Sequence, residues 1–166
     1  DIFVAGPQGQ SPVRVIKAPN KQWVNTDPSW SPDGARFALT GGPTGRPGIY
    51  LANSSGGALQ PVATGFSYST EPRWNPVFPN QLVFTYQSGS LRLGVIDLAA
   101  GSVRSIETAS PAALAHASWC ADGRHLVAAQ GDWLAIVDSV TGKVTRLTPV
   151  SLGRCSEPDC WTPRAR

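Results

Sequence analysis

Two histidines, three cysteines and no methionine leave this chain of 166 residues short of the side chains most used for metal binding and nucleophilic chemistry, and only 15% of it is charged. The formal net charge is +3 with no cluster of Lys or Arg, so the electrostatic footprint of a nucleic-acid binder is missing and no nucleic-acid partner is expected. No apolar run approaches the roughly 20 residues that cross a bilayer as a helix, so no membrane span is expected in this chain. A chain that opens at Asp1 without Met reads as a mature or excised portion of a longer product. Nucleotide and acyl-transfer chemistry also lack their signatures. There is no G-x-S-x-G elbow, and the glycine-rich run over 40–48 has neither the Lys-Ser/Thr nor the helix of a phosphate loop, so it reads as a flexible hairpin tip. Neither a catalytic residue nor a cofactor is expected.

What the chain has in quantity is Gly (17) and Pro (15), a composition of short strands joined by tight turns. Two unlinked series share one period. Trp30, Trp74, Trp119 and Trp161 are spaced by 44, 45 and 42 positions, and Gly9, Gly56, Gly101 and Gly142 by 47, 45 and 41. After Trp30 comes Pro32-Asp33-Gly34, whose residues suit a tight turn between antiparallel strands, and Asp122-Gly123 stands in the same place after Trp119. Strands are expected over 37–40, 49–52 and 59–63 in this first unit. The next unit repeats them over 82–86, 93–97 and 103–106, and the third over 126–129, 134–138 and 144–147, each after an inner strand that ends near its Trp.

A four-stranded sheet of about 40 residues cannot bury both faces alone, so such units must stack radially. The chain is therefore read as all-β, a β-propeller of four-stranded antiparallel blades with about 3.5 to 4 blades, each Trp filling the space between neighbours. The units run approximately over 1–22 (partial), 23–66, 67–110, 111–150 and 151–166 (partial). The ends supply two strands (2–5 and 13–16) and one (157–161). They either join in a defective closing blade or belong to a larger ring, completed by further sequence or by self-association.

The strings DPSWSPDGARFALT, EPRWNPVFPNQLVFTY and HASWCADGRHLVAA resemble the TolB-like propeller repeat, a WD-type bacterial repeat. The first is a complete match at Trp30-Ser31-Pro32-Asp33-Gly34. The second, with Asn75-Pro76, lacks the Asp-Gly, and the third has Cys120-Ala121 before Asp122-Gly123. The resemblance implies an extracytoplasmic bacterial protein, periplasmic, cell-surface or secreted. Its propeller would bind a protein or envelope component, or gate an attached catalytic domain such as a serine peptidase.

Asp27 and Glu71 stand three residues before their tryptophans, His116 takes that place in the third unit, and Glu157 precedes Trp161 by four. Gathered at one mouth of the central channel, they would form a partly acidic rim able to hold a cation, an amine or a basic peptide terminus. The alternative role is capping backbone amides between blades. His116, Cys120 and His125 lack a fixed ligand spacing, so no metal is expected. Cys155 and Cys160 are near enough to staple a loop, with buried thiols as the alternative. Phe66, Tyr68, Phe78, Tyr86 and Trp133 offer a contact surface for a protein partner, with the core as the other reading for Tyr86 and Trp133.

Overall fold

A computed structural model describes residues 1–149, which form strands and no helix. β1 (Ile2–Val4) and β2 (Val13–Ile16) make a two-stranded antiparallel sheet, a half-blade. Blade one follows with β3 (Trp23–Trp30), β4 (Arg36–Pro43), β5 (Gly48–Asn53) and β6 (Gly56–Val62). Blade two is β7 (Ser69–Trp74), β8 (Gln81–Ser88), β9 (Ser90–Asp97) and β10 (Ser102–Ser105). Blade three is β11 (Ala115–Trp119), β12 (His125–Gln130), β13 (Trp133–Asp138) and β14 (Val144–Pro149). Each blade is a meander in chain order. Its first strand lies against the first strand of the next blade, as β3 does with β7 and β7 with β11. The strand expected over 157–161, with Glu157 and Trp161, lies outside the described residues.

The apolar core sits between blades. One cluster joins Ile2 and Ile16 of the half-blade to Phe37, Leu39 and Ala52 of blade one. A second joins Ala38 and Ile49 to Trp74, Leu82 and Phe84, and a third joins Val83, Leu93 and Val95 to Trp119, Leu126 and Val137. Alternation explains the division: Phe37 and Leu39 point back while Ala38 points forward, as the period of two in a strand requires. Trp74 and Trp119 fill interblade space at 6% exposure, as expected of the series. Trp30 differs at 45% exposure, its ring set edge-on against Phe37. The half-blade beside it consists of outer strands, so no inner strand covers it among the described residues.

The turns after the tryptophans use different chemistry for one shape. In blade one Asp33 accepts from Ala35 N–H and Ser31 Oγ, with Gly34 at φ 67°. In blade three Asp122 accepts from the N–H groups of Arg124 and His125, with Gly123 at φ 67°. The corresponding turn of blade two has neither Asp nor Gly. There the fully buried Asn75 accepts from Val77 and Phe78 N–H through Oδ1, and its Nδ2 donates to Gly123 O of blade three. One amide thus builds the turn and ties two blades.

The glycine series also has a packing cause. Gly56 and Gly142 combine positive φ with backbone pressed against the preceding blade, where a Cβ would overlap the carbonyls of Val15 and Glu107. The run over 40–48 is less of a loop than expected. Thr40 to Pro43 continues β4 opposite Trp23 to Thr26, and Gly41 leaves the space that the Tyr50 ring occupies.

Replacing Asn75 with Ala leaves two turn N–H groups and the Gly123 carbonyl unpaired. Urea denaturation of Asn75→Ala should show a loss of about 2–3 kcal/mol, against less than about 1 kcal/mol for Asn80→Ala, since Asn80 bonds an exposed Arg36 guanidinium.

Candidate functional site at the inner strands

Asp27, Glu71 and His116 share a backbone state that their side chains alone would not suggest. Their φ values are 54°, 58° and 53°, in the left-handed region. In each blade the register between the first two strands slips at this point. Thr26 faces Thr40 but Ser29 faces Ala38, Thr70 faces Thr85 but Arg73 faces Val83, and Ala115 faces Ala129 but Ser118 faces Val127. Three steps on the inner strand oppose two on its neighbour, which is a β-bulge. Pro28 and Pro72 follow the bulged residue, where a missing N–H costs no ladder bond. Asp and His are among the residues that enter this region most readily, and Glu71 is held there by its surroundings.

At the boundary of blades two and three, Glu71 Oε2 accepts from Thr85 Oγ1 at 2.9 Å and from the His116 backbone N–H at 3.0 Å. Its Oε1 lies 2.9 Å from His116 Nδ1. The carboxylate therefore ties its own blade to the bulge of the next. At the boundary of blades one and two the same task falls to Thr40, whose Oγ1 accepts from Glu71 N–H at 2.8 Å. Asp27, one methylene shorter than Glu, accepts instead from its neighbour Thr26 Oγ1 at 2.9 Å. Arg73 joins the line by donating from Nη1 to the carbonyls of Pro72 and Asp27.

Glu71 and His116 are thus brought together, and Asp27 sits one blade away on the adjoining inner strand. Glu157 lies outside the described residues. The sequence reading did not find Thr40, Thr85 and Arg73, which complete the arrangement. The available signal was the Pro two residues before each of Trp30 and Trp74, since Pro inside a strand marks a bulge.

His125 stands apart from His116. Its Nδ1 lies 2.6 Å from Asp122 Oδ2, and Arg124 pairs with Asp138 at 2.7 Å. The His125 hydrogen bond, with the N–H groups of His125 and Arg124, holds Asp122 down at about 2 from an ordinary 3.8. Cys120, in the turn between β11 and β12, is disulfide-bonded. The pairing expected of Cys155 and Cys160 lies outside the described residues and, in a chain of three cysteines, cannot coexist with an intrachain bond at Cys120. Of the aromatics offered as a contact surface, Tyr86 is buried in the core with Phe66 stacked on it, whereas Phe78 is exposed.

Stacked four-stranded meanders with their first strands innermost define a β-propeller, present among the described residues as an arc of three blades and a half. It is similar to solved TolB propellers. TolB from Acinetobacter baumannii superposes with a TM-score of 0.75 at 25% identity over 90% of this chain and 38% of its own. A putative TolB from Agrobacterium tumefaciens gives 0.73 at 18% identity over 87% of this chain and 55% of its own. The chain thus spans less than two thirds of the length of either protein, and its fold is similar to that of the TolB β-propeller. The propeller domain of a protease from Pyrococcus furiosus is similar in fold, with a TM-score of 0.52 at 19% identity over 75% of this chain and 42% of its own. No family model matches the sequence.

Two outcomes follow. Glu71→Ala strands the His116 N–H and the Thr85 hydroxyl, so denaturant unfolding should register a loss of about 1–3 kcal/mol, whereas Asp27→Ala should cost less than about 1 kcal/mol. Asp122 stabilises the fold while ionised, because its folded pKa lies below its unfolded one. That contribution is present above about pH 4 and is lost as pH falls through about 2. Asp122→Asn should flatten the stability profile in that window, and a carboxyl NMR titration of Asp122 should have its midpoint near 2.

Proposed function

We propose that this chain is a noncatalytic protein-binding module of a bacterial envelope or secreted protein, and that the inner-strand rim of Asp27 and His116 contacts its partner. The observation that carries this reading is the repeated bulge, which sets a charged or titratable side chain at the same place on three adjoining inner strands. Glu71 is committed to the latch, and Asp27 keeps a carboxylate that accepts from its neighbour's hydroxyl. The Asp27 carboxylate suits an amine or a basic peptide terminus. The Cys120 disulfide supports an oxidising, extracytoplasmic compartment.

The test uses tri-lysine as the basic probe, followed by the His116 imidazole resonances. Saturable shifts at His116 are expected, with affinity about three- to tenfold lower in Asp27→Asn, a substitution that tolerates positive φ. Shifts confined to other residues, or unchanged affinity in Asp27→Asn, would overturn the rim assignment.

A second reading is an accessory propeller that gates a hydrolase domain outside these residues. It draws on fold likeness to the Pyrococcus furiosus protease propeller and to a Pyrococcus horikoshii acylaminoacyl peptidase, the latter with a TM-score of 0.56 at 15% identity over 76% of this chain and 25% of its own. A nucleophile elbow encoded in the same polypeptide would favour it over the first reading.

A further inference from the structure

The turn between β4 and β5 and the crossover from β6 to β7 bound a groove of about 670 Å³, within the roughly 300–1,000 Å³ range of ligand pockets. Asp27, Glu71 and His116 do not line it. Its walls are Pro43, Pro47 and Pro61 with the Tyr50 and Phe66 rings. Both aromatic walls are fixed from behind. Phe66 stacks on Tyr86 of blade two at 3.8 Å between ring centres, and Tyr50 leans on Trp23 at 5.9 Å. The two segments are also tied to each other, because Ser69 N–H donates to Pro47 O at 3.1 Å. The crossover folds on Thr64, whose Oγ1 lies 2.9 Å from Ser69 Oγ and accepts from Phe66 N–H. Such a groove exists before a ligand arrives, so little ordering opposes binding.

Its polar groups are of one kind. Arg46, exposed in the β4–β5 turn, makes no ion pair and no side-chain hydrogen bond among the described residues, and no acidic residue lines the groove. The Tyr50 hydroxyl and the N–H groups of Gly65 and Ser67 are likewise unbonded among the described residues. A cation and three donors thus border apolar and aromatic walls. A guanidinium left free in this way matches a carboxylate, which it can hold with two parallel bonds. The remaining donors have a use only where the carboxylate is carried on a chain with carbonyls of its own, whereas an acyl tail would leave them bare.

We propose that this groove binds the C-terminus of an extended peptide that ends in an aromatic or large aliphatic residue. The terminal carboxylate pairs with Arg46, the last side chain lies between Tyr50 and Phe66, and the preceding carbonyls accept from the crossover N–H groups and the Tyr50 hydroxyl. The charge of this ligand is opposite to that assigned to the inner-strand rim, and neither site depends on the other.

The probe is acetyl-Leu-Leu-Phe with a free carboxylate, titrated into the isotope-labelled 166-residue chain and followed by its backbone amide resonances. Saturable shifts are expected at Gly48, Gly65 and Phe66, with affinity at least about tenfold lower for the same peptide capped as a C-terminal amide. Arg46→Gln should weaken binding of the acid about tenfold and bring it level with the amide. Lys143→Gln removes an equal charge from an exposed turn of blade three and should change affinity less than about twofold. Equal affinity of acid and amide, or an equal effect of the two substitutions, would overturn the proposal. Saturable shifts at Asp27 and His116 in place of the groove would do the same. Hydrocinnamate binding as tightly as the tripeptide would sink the peptide assignment, because a carboxylate on a ring would then suffice.

Discussion

A four-stranded sheet with apolar side chains on both faces has no way to hide them except against another sheet, and every other feature of this molecule follows from that constraint. The three apolar clusters each span a boundary between blades, none lying within a single blade. The tryptophans are the largest pieces of this contact, worth about 3–5 kcal/mol each where fully buried. The glycines are its negative image: at Gly56 and Gly142 the backbone comes so close to the preceding blade that no side chain fits. Gly56 and Gly142 are thus the emptied counterpart of the space that Trp74 and Trp119 fill, while Gly9 and Gly101 serve their turns through positive φ alone.

Polar groups at the boundaries obey the same logic with different residues. An inner strand carrying a bulge exposes an N–H that cannot pair within its own blade, and leaving it buried and unpaired would cost about 1–3 kcal/mol. Thr40 answers for the Glu71 N–H and the Glu71 carboxylate answers for the His116 N–H. In blade three the position equivalent to Thr40 is Ala129, which has no hydroxyl to offer a following blade. The strained φ at three non-glycine positions persists because these cross-blade bonds and the bulge itself hold it.

The sequence made the period, the strand order and the blade class readable because each rests on local marks. Trp, Gly and the Asp-Gly turns recur at fixed places, and apolar alternation fills the gaps. The turn of blade two was not readable, because Asn75 replaces an Asp-Gly pair through a three-way hydrogen bond whose third partner is in another blade. The site was half readable. Its members Asp27, Glu71 and His116 stand out by repetition, but whether a carboxylate points to solvent or to a neighbouring backbone depends on one methylene. Glu71 reaches the next blade, and Asp27 reaches only Thr26. Thr40 and Thr85 carry no sequence mark, since a Thr inside a strand is an ordinary strand residue.

That single methylene separates structural from available charge. Of two carboxylates at equivalent positions, the longer is consumed by the fold and the shorter retains unused acceptor capacity. The same division applies to the tryptophans, two of which are spent on interblade packing while Trp30 stays open. In both series the member left over belongs to blade one. The causes differ: Asp27 has the inner strand of blade two beside it but is a methylene too short to latch onto it, whereas Trp30 faces a half-blade of outer strands.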